Sequence, residues 1–127
     1  MRRSSIFAIA ALLVLTPPTF ADELSDAKAS IKAAGLSDKA DTFLWCGAAL
    51  RISAKMNTDA TQQKTAGDLA DVLLTKAVAL ILASGGRADQ LGILGADYAL
   101  VVKSELIDQT ATPEHTQDEC TAAATAT

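Results

Sequence analysis

Residues 60–84 read ATQQKTAGDLADVLLTKAVALILAS, and their pattern decides the fold class. Asp59 stands before them as an N-cap, with Gln62 three residues later, as in a capping box. The first half is amphipathic at the helical period. From residue 72 to residue 83 only Thr75 and Lys76 are polar. The glycine pair Gly85-Gly86 then ends the run. A helix apolar on every side is a central helix or an interface. A membrane span is disfavoured, because a 19-residue window takes in Asp68, Asp71 and Lys76, each costing about 2.5–3.5 kcal/mol near a span centre. The expectation is a buried core helix, with Leu73, Leu80 and the following helix's Leu91 in the core.

The rest of the chain is also helical in pattern. No stretch alternates polar and apolar residues over strand length, and no Asn-Gly or Asp-Gly hairpin signal occurs. Residues 23–34 carry Leu24, Ala27, Ile31 and Ala34 on one face, with Gly35 as a left-handed stop and Leu36 set to fold back on Ile31. Residues 38–56 follow the N-cap Ser37. Their apolar residues (Phe43, Leu44, Trp45, Cys46, Leu50, Ile52 and Met56) cover more than one stripe, so this helix should be well buried. Residues 88–109 present Leu91, Leu94, Tyr98, Val101, Val102 and Leu106 inward. A short last helix is expected over 113–123, with Thr112 as cap, Pro113 in the first helical position and Glu114 near the positive end of the dipole. The fold expected is all-α: a compact bundle of four main helices plus a short C-terminal helix.

The chain of 127 residues has room for one such domain. Residues 1–21 read as a secretory signal peptide. Arg2 and Arg3 form the positive end, residues 6–15 are an unbroken apolar run, and Thr19 and Ala21 place small residues before a cleavage point at Asp22. That run is about half the length of a membrane span. The domain division is therefore 1–21 signal and 22–127 mature chain, in the periplasm or secreted, without membrane attachment after cleavage. Removing Arg2 and Arg3 takes 11 basic residues to 9 against 15 acidic, so a net charge of −4 becomes −6. An acidic chain without a basic stripe repels phosphate backbones, which excludes nucleic acid as a partner.

Chemistry-bearing residues are few. Export places Cys46 and Cys120 in an oxidising compartment, where a pair of cysteines reads as a structural disulfide. Closing a loop of about 75 residues would stabilise the fold by about 4.5 kcal/mol on the chain-entropy estimate. There is no C-x-x-C pair for redox chemistry. His115 is the sole histidine; with Glu119 four residues on it supplies only part of a metal set, and a surface histidine is expected. Asp68 and Asp71 read as solvated charge on polar faces, and no nucleophile has a base beside it in sequence. No catalytic, metal or cofactor site is expected, and the protein is read as a non-enzyme. Gly92 and Gly95 inside the fourth helix are expected to pack against the small patch Gly47, Ala48 and Ala49 on the second.

The segment Trp45-Cys46-Gly47-Ala48-Ala49, the turn Gly85-Gly86-Arg87 and the pair Glu119-Cys120 resemble a broad type: small exported all-helical two-cysteine proteins of Gram-negative bacteria. The acid-stress chaperones of the periplasm are similar in size and helical content, but none of their specific motifs occurs here, so no residue role follows from the likeness. The functional expectation is a non-enzymatic protein that works through protein–protein interaction or stress protection, with an unknown protein partner or a second copy of itself. The alternative is a carrier with a small apolar ligand in the bundle interior.

Overall fold

A computed structural model describes residues 20–125. The chain is all-helical, with four main helices and a short fifth: α1 (Phe20–Ala34), α2 (Asp38–Met56), α3 (Ala60–Ala83), α4 (Ala88–Leu106) and α5 (Gln117–Thr125). The signal-peptide reading of residues 1–21 lies outside the described residues, except for Phe20 and Ala21, which open α1.

The expected start and stop signals work at most helix ends. Gly35 takes φ +61 after α1. The Ser37 hydroxyl accepts the Ala40 N–H at 3.2 Å and opens α2. At α3, Asp59 Oδ1 accepts the Gln62 N–H at 3.0 Å, but the return half of the capping box is not made. Asn57 Oδ1 takes the Asp59 N–H at 3.0 Å, and Asn57 Nδ2 donates to Gln62 Oε1 at 2.7 Å. At the other end Gly85 has φ +88. The Gly86 N–H donates to Ile81 O at 2.9 Å and the Gly85 N–H to Leu82 O at 3.2 Å, the paired bonds of a Schellman stop.

The two C-terminal boundaries differ from expectation. α4 ends at Leu106 rather than Gln109 because the chain reverses there. Gln109 adopts φ +53, and the N–H and hydroxyl of Thr110 both donate to Ser104 O at 3.0 Å. The last helix begins at Gln117 rather than Pro113. Glu105 Oε1 on α4 accepts the Glu114 N–H at 3.0 Å, which holds residues 113–116 in a loop. Thr116, not Thr112, is the cap; its hydroxyl accepts the Glu119 N–H at 3.1 Å.

The helices pack in the spatial order α1, α4, α2, α3, with α5 lying across α2 and α3. The central helix is α2. Four consecutive bulky residues, Phe43, Leu44, Trp45 and Cys46, are all buried. Consecutive residues on a helix point about 100° apart, so burial of all four requires neighbours on every side. The expectation that residues 72–83 form an all-round core helix is corrected. α3 is a flank that buries Ala70, Leu73, Ala77 and Ile81 on one face and leaves Val72 and Leu82 nearly half exposed on another. Leu73 is fully buried, while Leu80 and Leu91 are half-buried against the core. Met56, expected on the buried side of α2, is exposed at the helix end.

The small-residue patch serves a different pair of helices from the one expected. At Gly47 an added Cβ would lie 2.7 Å from Leu74 Cδ2, so this glycine seats α3 against α2. Gly92 and Gly95 have nothing within 4 Å of that position and do not pack on the patch. Among the described residues, no helix is long and apolar enough to cross a membrane.

Candidate functional site

Polar side chains gather where α2, α4 and residues 112–120 meet. The Cys46 and Cys120 sulfurs lie 2.04 Å apart with their Cα atoms at 5.2 Å, so the expected pair is joined. The bond fixes α5 on the central helix. A second tether is Lys76, whose Nζ donates to Ala123 O at 3.2 Å and Ala124 O at 3.3 Å. This places a cation at the carbonyl end of α5, where the helix dipole favours it. The same ammonium lies 5.8 Å from the Phe43 ring centroid.

Glu105 is the buried acid of this seam, only 7% exposed. It continues the inward stripe of α4, one helical step beyond Val101 and Val102. Its Oε2 accepts the Trp45 indole N–H at 2.9 Å and its Oε1 the Glu114 N–H. Both donors are neutral, and among the described residues no cation forms a salt bridge with this carboxylate. It ties the central helix to the returning loop.

Beside it lies a second group. His115, expected on the surface, is 14% exposed, because its ring packs edge-on to Trp45 with centroids 5.4 Å apart. Its Nδ1 is 2.9 Å from Glu119 Oε2. Its Nε2 faces two carboxylates: Asp41 Oδ2 at 3.4 Å and Glu114 Oε1 at 3.7 Å. The remaining Asp41 oxygen accepts the Tyr98 hydroxyl. Burial, and then the Asp41 carboxylate, hold the Tyr98 phenol above its ordinary value. Partial burial and the facing Asp41 push Glu114 up to about 7, with His115 pulling the other way. For His115, burial lowers the imidazole, but hydrogen bonds to Glu119 and Asp41 outweigh it and the net shift is upward. One ligating atom from each of Asp41, Glu114 and His115 lies within 4.8 Å of the others.

Two hollows flank the seam. One, of about 420 Å³, is lined by Lys28 and Lys32 of α1 together with Asp41, Tyr98, Glu105 and Glu114. The other, of about 600 Å³, runs between α2 and the 112–120 segment. Trp45, Ala49, Leu50, Leu106 and Pro113 give it an apolar wall, and Ser53, Asn57 and Gln117 place polar groups along it.

Of the residues singled out from sequence, Cys46, Cys120, His115 and Glu119 converge here. Asp68 and Asp71 stay on the surface, each paired with a neighbour: Lys64 at 2.8 Å and Arg51 at 3.0 Å. Asp41, Tyr98, Glu105 and Glu114 were not expected in a site. Glu105 carries a readable signal, since it sits where the α4 stripe calls for an apolar residue. Asp41 is one turn before Trp45, and nothing in its sequence surroundings marks it. No family model, no curated protein and no solved structure matches this chain.

Proposed function

We propose that the protein is a non-enzymatic binding protein of an oxidising exported compartment, the periplasm or beyond. Its cleft between α2 and the disulfide-held segment takes a small molecule with an apolar body. The observation that carries this reading is the cleft itself. Its volume of about 600 Å³ falls within the range of about 300–1,000 Å³ usual for small-molecule sites. Its lining matches the chemistry too, with an apolar wall and a few polar groups to orient one end of a ligand. The joined cysteines and the leader-like residues 1–21 support the compartment.

Trp45 borders the cleft and is the only tryptophan in the chain, so it reports on occupancy. Titration with an apolar fluorescent probe should change Trp45 emission and saturate at one site, and Leu50→Arg should abolish the response. Native mass spectrometry of protein purified without denaturant should show a small-molecule adduct. A probe response that persists in Leu50→Arg, or no saturable response at all, sinks this reading.

A second reading is protein–protein interaction through α3. It rests on the outward Val72, 42% exposed, and Leu82, 47% exposed. These sit on the flank helix whose apolar content exceeds what one buried face needs. Light scattering would show an assembly of copies that Leu82→Lys dissolves without lowering the melting temperature. A monomer at every concentration excludes the self-association form of this reading.

A further inference from the structure

We propose that Asp41, Glu114 and His115 form a binding site for a divalent cation of the zinc class. Zinc binds nitrogen and oxygen at about 2.0–2.1 Å in tetrahedral geometry, so neighbouring ligand atoms lie about 3.3 Å apart. Here His115 Nε2 is 3.4 Å from Asp41 Oδ2 and 3.7 Å from Glu114 Oε1, and the three ligating atoms span no more than 4.8 Å. Two edges of the coordination polyhedron are thus nearly in place. Asp41 and His115 are held in position, and Glu114, 47% exposed, has the freedom to draw toward both.

The atoms behind the ligands fit the same role. Metal-bound histidines commonly give their second ring nitrogen to a carboxylate, which fixes the tautomer and raises the basicity of the ligating nitrogen. Glu119 takes that position at His115 Nδ1, at 2.9 Å. The Tyr98 hydroxyl engages the Asp41 oxygen turned away from the histidine and orients the other toward it. Glu105 adds a further carboxylate to the adjoining hollow, whose lining also includes Lys28 and Lys32 of α1. An imidazole with two carboxylates selects zinc, cobalt or nickel over calcium and magnesium, which need more oxygen ligands or retain their waters. Three protein ligands beside an open hollow leave a fourth position for water or for a donor atom of a bound molecule. The ligands come from α2 and from the loop before α5, so a cation would clamp the returning segment to the central helix beside the disulfide.

The purified oxidised protein, stripped with chelator and dialysed, is titrated with cobalt while Trp45 emission is followed. Cobalt at this site lies next to His115, whose ring is 5.4 Å from the Trp45 ring, so emission should be quenched at one equivalent and restored by zinc. Isothermal titration with zinc should give one site. His115→Ala should lose both signals, and Glu119→Gln should weaken zinc binding about 10–100-fold as a positioning residue. Should His115→Ala fail to fold, Glu114→Gln at its half-exposed position provides the same comparison and should weaken zinc binding. The proposal is overturned if folded protein neither quenches with cobalt nor takes up zinc. It is equally overturned if binding survives His115→Ala, or if calcium displaces cobalt as well as zinc does, since either would locate the cation on the general acidic surface.

Discussion

The two sides of α2 are built on different principles. Toward α3 the buried part of the contact is apolar and made of size, with the Arg51–Asp71 ion pair at its exposed margin: Gly47 admits Leu74, and Leu73, Ala70 and Ala77 are fully buried. Toward α4 and the C-terminal segment the contact is made of directed bonds. Trp45 reaches Glu105, Tyr98 reaches Asp41, and His115 stands among three carboxylates. Apolar packing tolerates no charge but asks little of orientation. The polar seam needs each group aimed, and it depends on the packed side to hold its backbone still. The contrast separates a half of the molecule held by packing from a half held by directed polar bonds.

The largest expected effect breaks the packed side. Leu73→Ala should cost about 2–5 kcal/mol, read by urea unfolding, and should lower the stability of the whole bundle. A loss confined to the C-terminal segment would mean that the two sides fold independently. Next, replacing Cys46 and Cys120 with serine should cost about 2–4 kcal/mol. Here the seam should suffer first, with faster amide exchange across residues 112–125 than in α3. Equal acceleration in both would deny the seam its dependence on the tether.

Glu105→Gln tests the seam from within. A carboxamide oxygen can serve the Trp45 indole or the Glu114 N–H, but its NH₂ group cannot accept from the other. Stability should fall by about 1–3 kcal/mol, the cost of leaving a buried donor unpaired. An unchanged melting temperature would show that water replaces the lost acceptor. The glycines sharpen the packed side. Gly92→Ala and Gly95→Ala face open space and should each stabilise by up to about 1 kcal/mol through helix propensity. Gly47→Ala should show no such gain, because its new methyl group displaces Leu74.

The smallest effect is the pH dependence of the seam, read in the presence of chelator. Glu114 titrates near 7 in the folded chain against an ordinary 4.5. A raised carboxyl contributes stability that is full below about 4.5 and is lost as the pH rises through 7. Glu114→Gln should therefore match the native chain at pH 4 and melt slightly higher at pH 8, by a margin reduced by the group's exposure. The reverse order at pH 8 would mean that the charged form is stabilised, by His115 or by Lys28 and Lys32, which line the same hollow.

Much of this architecture is local and so was legible in the chain. Ser37, Asp59, Gly35 and Gly85 mark helix ends through bonds that span only a few residues. The consecutive bulky residues 43–46 cover more than one face of α2, so a well-buried helix was legible there. The cysteine pair was equally readable, because two cysteines allow a single intrachain pairing. Only the tertiary structure decided which helix flanks which. The apolar excess of α3 says that it is buried somewhere, but not that α2 takes the centre. It also decided the seam. Asp41 is 74 residues from His115 and Trp45 is 60 from Glu105, and no periodicity relates residues so far apart. The start of α5 was decided by a contact outside its own segment: Pro113 and Thr112 carry good local start signals, and the bond that the Glu114 N–H donates to Glu105 on α4 overrides them. A hydrogen bond within a turn is encoded by neighbours in sequence, whereas one between helices exists only after their packing has brought the partners together.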